Sequence, residues 1–314
     1  MKIAMLGAGA MGCLFGGLLS ESGQDVTLLD VNDAHLDAIR AQGLRLETDG
    51  GDLRVNGLTV LRPEHYRDVP DLLILFTKSL HTEVALRSVA ALLGAAPADA
   101  PLRVLTLQNG LGNLEAASRH VDPARLLVGM TTWPADLAGL GHVRSHGAGK
   151  VRLLPASGEA DAQARRIAGA LDAAGLQCEV DPDVWAAIWE KVAFNAALNS
   201  LCAVTGCAVG LLDHASDGPA LARAVVAEVI AVAHAVGVDA DESACQASVA
   251  YAIAHHRAHQ PSMLQDVLAK RPTEIEAING EVVMRARQAG VPVPNTAMLL
   301  GLVRLIQARQ LDSR

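Results

Sequence analysis

The sequence predicts a chain of the α/β class, in which a doubly wound sheet is followed by an all-helical C-terminal domain. Two observations lead to this prediction. Up to residue 181, short apolar runs alternate with helical segments, which is typical of a parallel sheet with crossover helices. After the turn Asp181-Pro182-Asp183, one helix follows another. We therefore predict one domain over residues 1–181 and a second over residues 182–314, a division that suits a 314-residue chain.

Composition and charge exclude several classes of partner. Hydrophobic residues make up 51% of the chain, enough for well-packed cores, whereas aromatic residues make up only 3%. The net charge of -8, with no basic run, argues against binding to nucleic acid or to an anionic membrane surface. Polar breaks interrupt every long apolar stretch, so we predict no membrane span. The composition permits a homodimer.

The cysteines and histidines indicate a reduced, metal-free protein. Five scattered cysteines form no C-x-x-C pair, which is typical of reduced, mostly buried thiols in a cytoplasmic protein. The cluster His255, His256 and His259 has no cysteine or carboxylate nearby in sequence, so a solvated helix end is the better interpretation than a metal site.

The N-terminal segment has the pattern of a dinucleotide-binding turn. A short apolar strand, Lys2 to Leu6, precedes the run Gly7-Ala8-Gly9-Ala10-Met11-Gly12, and a small-residue helix follows it. In this G-x-G-x-x-G context Gly7 permits a tight turn, Gly9 lets a pyrophosphate approach the backbone, and Gly12 allows close helix packing. The helix N-terminus adds free N–H groups. We therefore predict a Rossmann-type domain; a purely structural glycine turn and a signal peptide are the less favoured alternatives.

Asp30 follows the second apolar run, Val26 to Leu29, and bears on the choice of cofactor. A carboxylate at this strand end accepts hydrogen bonds from the adenosine ribose and repels a 2′-phosphate. No lysine or arginine follows until Arg40. We therefore predict NAD(P)H as cofactor with NAD preferred. Asp30 could instead cap the following helix, a role that Asn32 or Asp33 could also fill.

Two further strands end in polar residues. Asp71 to Phe76 closes on Thr77-Lys78, and Arg103 to Leu107 closes on Gln108-Asn109-Gly110. Ligands of open α/β sheets bind beyond the carboxyl ends of the strands, so we expect Lys78 and Asn109 near the cofactor or substrate. Lys78 could instead be a surface lysine, and Asn109 could cap the next helix.

The other elements follow from apolar runs, turns and caps. Helices are predicted over 81–93, 113–119 and 160–174, and strands over 126–131, 141–145, 150–154 and 177–180. In the second domain helices are predicted from residue 184 and over 219–236, 242–256, 273–289 and 295–310. Thr273 and Glu276 have the spacing of a capping box.

The helix that opens the second domain carries an unusual polar stripe. In the sequence W-E-K-V-A-F-N-A-A-L-N, Lys191, Asn195 and Asn199 are four residues apart and so lie on one face. Apolar residues surround them, and polar groups are costly to bury without partners. The stripe therefore faces either solvent or a ligand.

The whole chain resembles the ketopantoate reductase (2-dehydropantoate 2-reductase) family. The resemblance rests on the glycine motif, on Thr77-Lys78, on Gln108-Asn109-Gly110, on the lysine helix, and on the block S-M-L-Q-D…T-E-I…I-N-G between residues 262 and 280. It implies reduction of 2-dehydropantoate to pantoate, in pantothenate biosynthesis, with a small 2-keto acid as substrate.

The resemblance also implies roles for individual residues. Lys191 resembles the proton donor and Glu274 its acidic partner. Asn195, Asn199 and Ser262 resemble substrate-binding residues, Asn109 resembles a residue that contacts both cofactor and substrate, and Lys78 resembles a cofactor contact. A charged Lys191 would stabilise negative charge on the keto oxygen and then protonate it, and Glu274 would help to keep Lys191 charged.

Two departures from the family pattern favour alternatives. Members that prefer NADP carry a basic residue after the second strand, where this chain has Asp30-Val31-Asn32, and some carry an additional substrate-binding asparagine where this chain has Val209. Both lean towards a reductase of another 2-keto acid, similar to D-mandelate dehydrogenases. A non-catalytic NAD(H)-binding sensor is a third alternative, against which Lys191 argues because a sensor needs no proton donor.

Overall fold

The computed structural model describes residues 1–97 and 100–312, which divide into two compact units. The first unit comprises Met1–Gln108 and Asn113–Val184. The second unit comprises the short segment Asn109–Gly112 and the chain from Trp185 onward. The predicted boundary between residues 181 and 182 lies just before Val184, but the transfer of Asn109–Gly112 to the second unit was not foreseen.

Where the structure describes it, the first unit contains twelve strands in two sheets. The strands are β1 (Lys2–Leu6), β2 (Asp25–Leu29), β3 (Leu44–Thr48), β4 (Gly51–Val55), β5 (Thr59–Leu61), β6 (Leu72–Leu75), β7 (Arg103–Thr106), β8 (Leu126–Thr131), β9 (Asp136–Gly139), β10 (His142–Ser145), β11 (Val151–Pro155) and β12 (Cys178–Val180).

The larger sheet has eight strands in the order β12-β11-β8-β7-β6-β1-β2-β5. All neighbouring pairs are parallel except β8 and β11. The order reverses at β1, with β2 on one side and β6 on the other. This is the switch point at which ligands bind in doubly wound sheets. The predicted fold class, a Rossmann-type domain followed by a helical region, is confirmed.

The described residues of the first unit form six α-helices, besides short 3-10 turns: α1 (Ala10–Glu21), α2 (Asp33–Gln42), α3 (Thr82–Ser88), α4 (Ala90–Ala95), α5 (Asn113–Ser118) and α6 (Ala162–Ala173). Helix α1 buries Leu14, Phe15 and Leu19 completely. Each such side chain contributes about 1.5–3 kcal/mol relative to exposure, so this helix is firmly held beside the glycine turn. The single helix predicted over 81–93 is wrong, because the structure divides it into α3 and α4 at Val89.

The smaller sheet was not predicted as a sheet. It has the order β4-β3-β10-β9, and β3 pairs in parallel with β10, which lies far along the chain. Leu44 and Leu46 of β3 and Val143 of β10 are fully buried in the same core as helix α1. The smaller sheet thus extends the hydrophobic core of the first unit.

The second unit is helical: α7 (Val184–Thr205), α8 (Asp217–Ala235), α9 (Glu242–His255), α10 (Ser262–Leu268), α11 (Glu281–Ala289) and α12 (Pro294–Asp312). The short helix α10 was not predicted. Helix α8 is long and apolar enough to cross a membrane by length and composition alone. It buries Val225, Val226, Val229 and Ile230 completely, as a core helix does.

The predicted capping box of Thr273 and Glu276 is wrong. The Thr273 N–H donates to Gln307 and its hydroxyl accepts from the Ile275 N–H, while Glu276 forms an ion pair with Arg304 of α12. The predicted helix over 273–289 instead contains a π-helical turn, Glu276–Gly280, before α11. Such turns occur frequently at functional sites.

Candidate functional site

The glycine turn, Gly7–Gly12, lies between β1 and α1 at the switch point of the larger sheet. Gly7 has a φ of 103°, and a Cβ there would lie 2.6 Å from the Thr77 nitrogen. A Cβ at Gly12 would lie 1.9 Å from the Gly7 carbonyl oxygen. At Gly9, by contrast, a Cβ would meet no described atom within 4 Å. The turn is therefore closed beneath Gly7 and Gly12 and open above Gly9, where a pyrophosphate would approach.

Asp30 follows β2 and lies against this turn. Its carboxylate accepts hydrogen bonds from the Ala8 N–H at 2.8 Å and from the Asn32 N–H at 2.9 Å. The side chain of Asn32, and not that of Asp30, caps helix α2. Asp30 therefore holds a carboxylate beside the glycine turn instead of capping a helix.

A cavity of about 340 Å³ opens beside the glycine turn within the first unit. Its walls include Gly7, Gly9, Asp30, Val31, Pro63, Phe76, Thr77, Lys78, His81 and Val84. It combines apolar walls, a carboxylate and an open glycine backbone, and these features fit an adenine nucleotide. Lys78 thus lies in the cavity wall, and its role as a cofactor contact stays a prediction.

Gln108 organises the neighbouring strand ends and was missed by sequence reasoning. Its side-chain amide donates to the Thr77 carbonyl at 2.7 Å and to the Thr82 hydroxyl at 2.8 Å, and its oxygen accepts from Thr106 at 3.1 Å. These bonds tie β7 to the segment after β6 and so fix the position from which Lys78 extends. Only the neighbouring motif Gln108-Asn109-Gly110 could have indicated it.

A buried cysteine–histidine pair lies beneath the glycine turn and was also missed. Cys13 Sγ donates to the Ala8 carbonyl at 3.1 Å and lies 3.3 Å from His35 Nε2. His35 Nδ1 accepts from the Gly141 N–H at 3.1 Å. Burial lowers the pKa of His35, with Asp30 opposing the effect. A neutral imidazole thus links the turn, α2 and the smaller sheet.

In the second unit, α7 carries the polar stripe of Lys191, Asn195 and Asn199. Lys191 and Asn195 are partly buried, and Asn199 is 6% exposed. Desolvation lowers the pKa of Lys191 from 10.5 to about 8, although the negative charge of Glu274 acts in the opposite direction. The lysine is therefore a cation that can release its proton near neutral pH.

The segment Asn109–Gly112 places the Asn109 side chain beside Glu274, the carboxylate that acts on Lys191. The Asn109 side-chain amide donates to Glu274 Oε2 at 3.3 Å, and the Leu111 N–H donates to the Ala277 carbonyl at 2.8 Å. Gly110 has a φ of 86°, and a Cβ there would lie only 2.4 Å from the Ala277 carbonyl oxygen. Glycine is thus required for this segment to lie against the π-helical turn.

The structure does not bring every predicted site residue together. Asn109, Lys191 and Glu274 form one group, but Ser262 is the first residue of α10 and is exposed, and no hydrogen bond between described residues joins it to that group. Val209 is buried in a separate short helix. Within the described ranges no cluster of three or more metal-ligating side chains occurs.

Asn279 is a further missed residue, located within the π-helical turn. It is fully buried, and its amide donates to the Ala196 carbonyl at 3.4 Å and to Ser200 Oγ at 3.5 Å. Both acceptors lie on α7, between or beside the stripe residues. Asn279 therefore fixes the π-helical turn against the helix that carries Lys191.

Comparison with known sequences gives the family of the chain. The description "Ketopantoate reductase PanE/ApbA" matches residues 3–158, and its C-terminal counterpart matches residues 183–307. A 2-dehydropantoate 2-reductase of Halobacterium salinarum is 34% identical over 98% of this chain and 99% of its own. One from Streptococcus pyogenes serotype M1 is 31% identical, covering 98% of each chain.

Solved structures agree with this result. A PanE/ApbA family ketopantoate reductase from Ralstonia eutropha is 32% identical with a TM-score of 0.89, over 99% of this chain and all of that one. A D-mandelate dehydrogenase solved with NADH and anilino(oxo)acetate is 30% identical with a TM-score of 0.92, over the same shares of the two chains. Since the family matches span both units and the relatives cover nearly the whole chain, the protein belongs to the ketopantoate reductase family of oxidoreductases.

Proposed function

We propose that the protein reduces 2-dehydropantoate to pantoate with NADH, and that Lys191 donates the proton. The observation that carries this proposal is the lowered pKa of the partly buried Lys191 side chain. Its pKa of about 8 results from burial opposed by Glu274, so a large fraction is protonated at neutral pH and can still release the proton. Both relatives named above are 2-dehydropantoate 2-reductases.

The first unit supplies the cofactor residues. The glycine turn would hold the pyrophosphate with backbone N–H groups and the helix dipole of α1, and Lys78 would add a positive charge. When bound, the reduced nicotinamide supplies the hydride for the keto carbon. Asp30 would accept hydrogen bonds from the ribose hydroxyls and disfavour a 2′-phosphate, hence the proposed preference for NADH.

The second unit supplies the substrate residues. Negative charge that develops on the keto oxygen would be stabilised by the Lys191 ammonium, which then protonates it. Glu274 keeps this ammonium charged and is itself oriented by Asn109. Asn195, Asn199 and Ser262 would bind the carboxylate and hydroxyl of the substrate without adding competing charge. The free cysteines, four of them buried, agree with the proposed cytoplasmic location.

A second candidate is an NADH-dependent reductase of an aromatic 2-keto acid. Two observations favour it: the TM-score of 0.92 to a D-mandelate dehydrogenase solved with NADH, and the presence of Val209 where some family members carry an asparagine. The machinery proposed for Lys191 and Glu274 would be the same. The two candidates differ only in the substrate side chain.

The deciding experiment is a steady-state assay of 2-dehydropantoate and phenylglyoxylate, each with NADH and NADPH. We expect the higher kcat/KM with 2-dehydropantoate and NADH. A higher value with phenylglyoxylate would select the second candidate. A higher value with NADPH would contradict the role proposed for Asp30, and cofactor binding without turnover of either acid would indicate a sensor.

A further inference from the structure

We propose that Arg62, held by Asp33 and Glu64, is a second determinant of cofactor choice at the adenosine end of the site. This inference rests on the proposed function, because it concerns the cofactor that the first unit would bind. It adds a second feature to that of Asp30: Arg62 follows the strand beside Asp30, and carboxylates already engage the guanidinium that could otherwise receive a 2′-phosphate.

The strand register places Arg62 beside Asp30. Strands β2 and β5 are parallel neighbours in which Leu29 pairs with Leu61, and the Asp30 N–H donates to the Leu61 carbonyl at 3.2 Å. The residues that follow these strands, Asp30 and Arg62, therefore emerge side by side at one edge of the sheet. Pro63, the next residue, lines the same cavity as Asp30 and Val31.

The guanidinium of Arg62 is occupied on two sides. Its Nε and Nη2 donate to the two carboxylate oxygens of Asp33 at 2.7 and 2.6 Å, which is the bidentate geometry of a strong pair. Its Nη1 donates to Glu64 at 3.3 Å. Asp33 is the first residue of α2, and its neighbour Asn32 provides the cap, so helix capping does not account for Asp33.

The consequence concerns a phosphate on the ribose 2′ position. Arginine recognises phosphate through the same pair of parallel donors that Asp33 occupies here. An incoming 2′-phosphate would have to displace Asp33, and would meet the charges of Asp30 and Glu64 as well. Removal of the Asp33 charge should therefore release a phosphate-binding arginine, whereas removal of Arg62 should cancel that gain.

The test is a double-mutant cycle read by cofactor binding, without turnover. Dissociation constants of NADH and NADPH are measured by nicotinamide fluorescence for the wild type, Asp33→Asn, Arg62→Ala and the double variant. We expect Asp33→Asn to tighten NADPH binding by about tenfold, the value of one charge-assisted hydrogen bond, and to leave NADH binding unchanged. With Arg62→Ala present, the same substitution should tighten NADPH binding by no more than about threefold, through lost repulsion alone.

Each outcome decides the proposal. The role of Arg62 would be overturned if Asp33→Asn tightened NADPH binding equally with and without Arg62, or did not tighten it at all. Either result would leave the proposed reaction intact. A wild type that already prefers NADPH would also overturn the role of Arg62. Binding of neither cofactor to the wild type would overturn both this inference and the proposed NADH-dependent function.

A control separates this effect from a general change of charge on α2. Asp37 pairs with Arg40 on the same helix, and Arg40 also donates to the Val60 carbonyl. Asp37→Asn removes an identical charge and releases a different arginine. We expect it to leave both dissociation constants unchanged, and a gain in NADPH binding equal to that of Asp33→Asn would contradict the specific role of Arg62.

Discussion

The cofactor site of the first unit is built mainly from backbone, whereas the site of the second unit is built from side chains. The glycine turn occupies six consecutive residues, and its shape depends on the absence of a Cβ at Gly7 and Gly12. The group of Asn109, Lys191 and Glu274 comes from three distant segments, and its properties depend on burial and charge. We therefore expect the first site to be sensitive to side chains added at its glycines, and the second to be sensitive to changes of side-chain chemistry.

The largest expected effect is on the second unit. Lys191→Ala removes the proton donor, so we expect kcat to fall by about 10²- to 10⁴-fold, the usual contribution of general acid catalysis. NADH binding should be unchanged, because Lys191 is not among the residues proposed to bind the cofactor. Steady-state kinetics and a fluorescence titration of NADH measure the two effects. Lys150→Ala, at an exposed lysine, is the control; an equal loss in both variants, or unchanged turnover in Lys191→Ala, would contradict the assignment.

In the first unit the test is to add a side chain to the glycine turn. At Gly9 a Cβ would meet no described atom within 4 Å, so we expect Gly9→Val to leave the melting temperature unchanged. Its methyl groups would, however, fill the space through which a pyrophosphate approaches, and NADH should bind at least about tenfold more weakly.

Gly169→Val, the same substitution at an exposed helix position where valine and glycine have similar helix propensities, provides the matched control. Gly169 is on α6 of the same unit and also has open space at its Cβ position, but it is remote from the glycine turn in sequence. It should change neither stability nor binding appreciably. If Gly9→Val binds NADH normally, the open side of the turn is not the cofactor site.

The two sites also differ in how far the sequence predicted them. The glycine turn and Asp30 were predicted because a strand, a turn and a helix adjacent in sequence specify one another locally. Strand β3 was missed because its parallel partner β10 lies far along the chain, and no local pattern records that pairing. Gln108 was missed because its hydrogen bonds depend on where Thr77 and Thr82 lie in space.

The second unit was predicted in part through resemblance and in part incorrectly. The spacing of Lys191, Asn195 and Asn199 predicts one face of a helix, and α7 has that form. The spacing of Thr273 and Glu276 also fits a local motif, but α12 supplies Arg304 and Gln307 as better partners. Tertiary contacts override local capping preferences here, and contacts with residues about 30 positions away cannot be predicted from a local sequence pattern.

Gly110 tests a backbone-dependent part of the second site. Gly110→Ala should lower the free energy of unfolding, measured by urea denaturation, by more than the about 1–2 kcal/mol that a left-handed alanine costs, because its Cβ would also displace the Ala277 carbonyl. Turnover should fall as well, since Asn109 would move away from Glu274. Gly290→Ala has a similar positive φ with open space around it and measures the backbone cost alone. Equal losses of stability in the two variants would contradict the contact with Ala277.

The smallest expected effect is the pH dependence of the first unit. Burial lowers the pKa of His35 below its ordinary value of 6.5, so the folded protein keeps the imidazole neutral where the unfolded chain binds a proton. Stability should therefore be fully present above about pH 6.5 and should decline as the pH falls towards the folded pKa, by at most about 1.4 kcal/mol per pH unit for one proton. Urea unfolding between pH 7 and pH 5, an interval of about 2 units, measures this slope.

His35→Gln should reduce the pH slope, because glutamine can accept from the Gly141 N–H without titrating. His65→Gln, at an exposed histidine of the same unit, is the control variant. NADH affinity measured over the same pH interval tests whether His35 also affects the glycine turn. A protonated His35 can no longer accept a hydrogen bond from the Gly141 N–H. It also lies against Cys13, whose thiol donates to the Ala8 carbonyl of the glycine turn. An unchanged slope in His35→Gln would show that other groups dominate the acid response, and that the buried pair fixes the turn by packing alone.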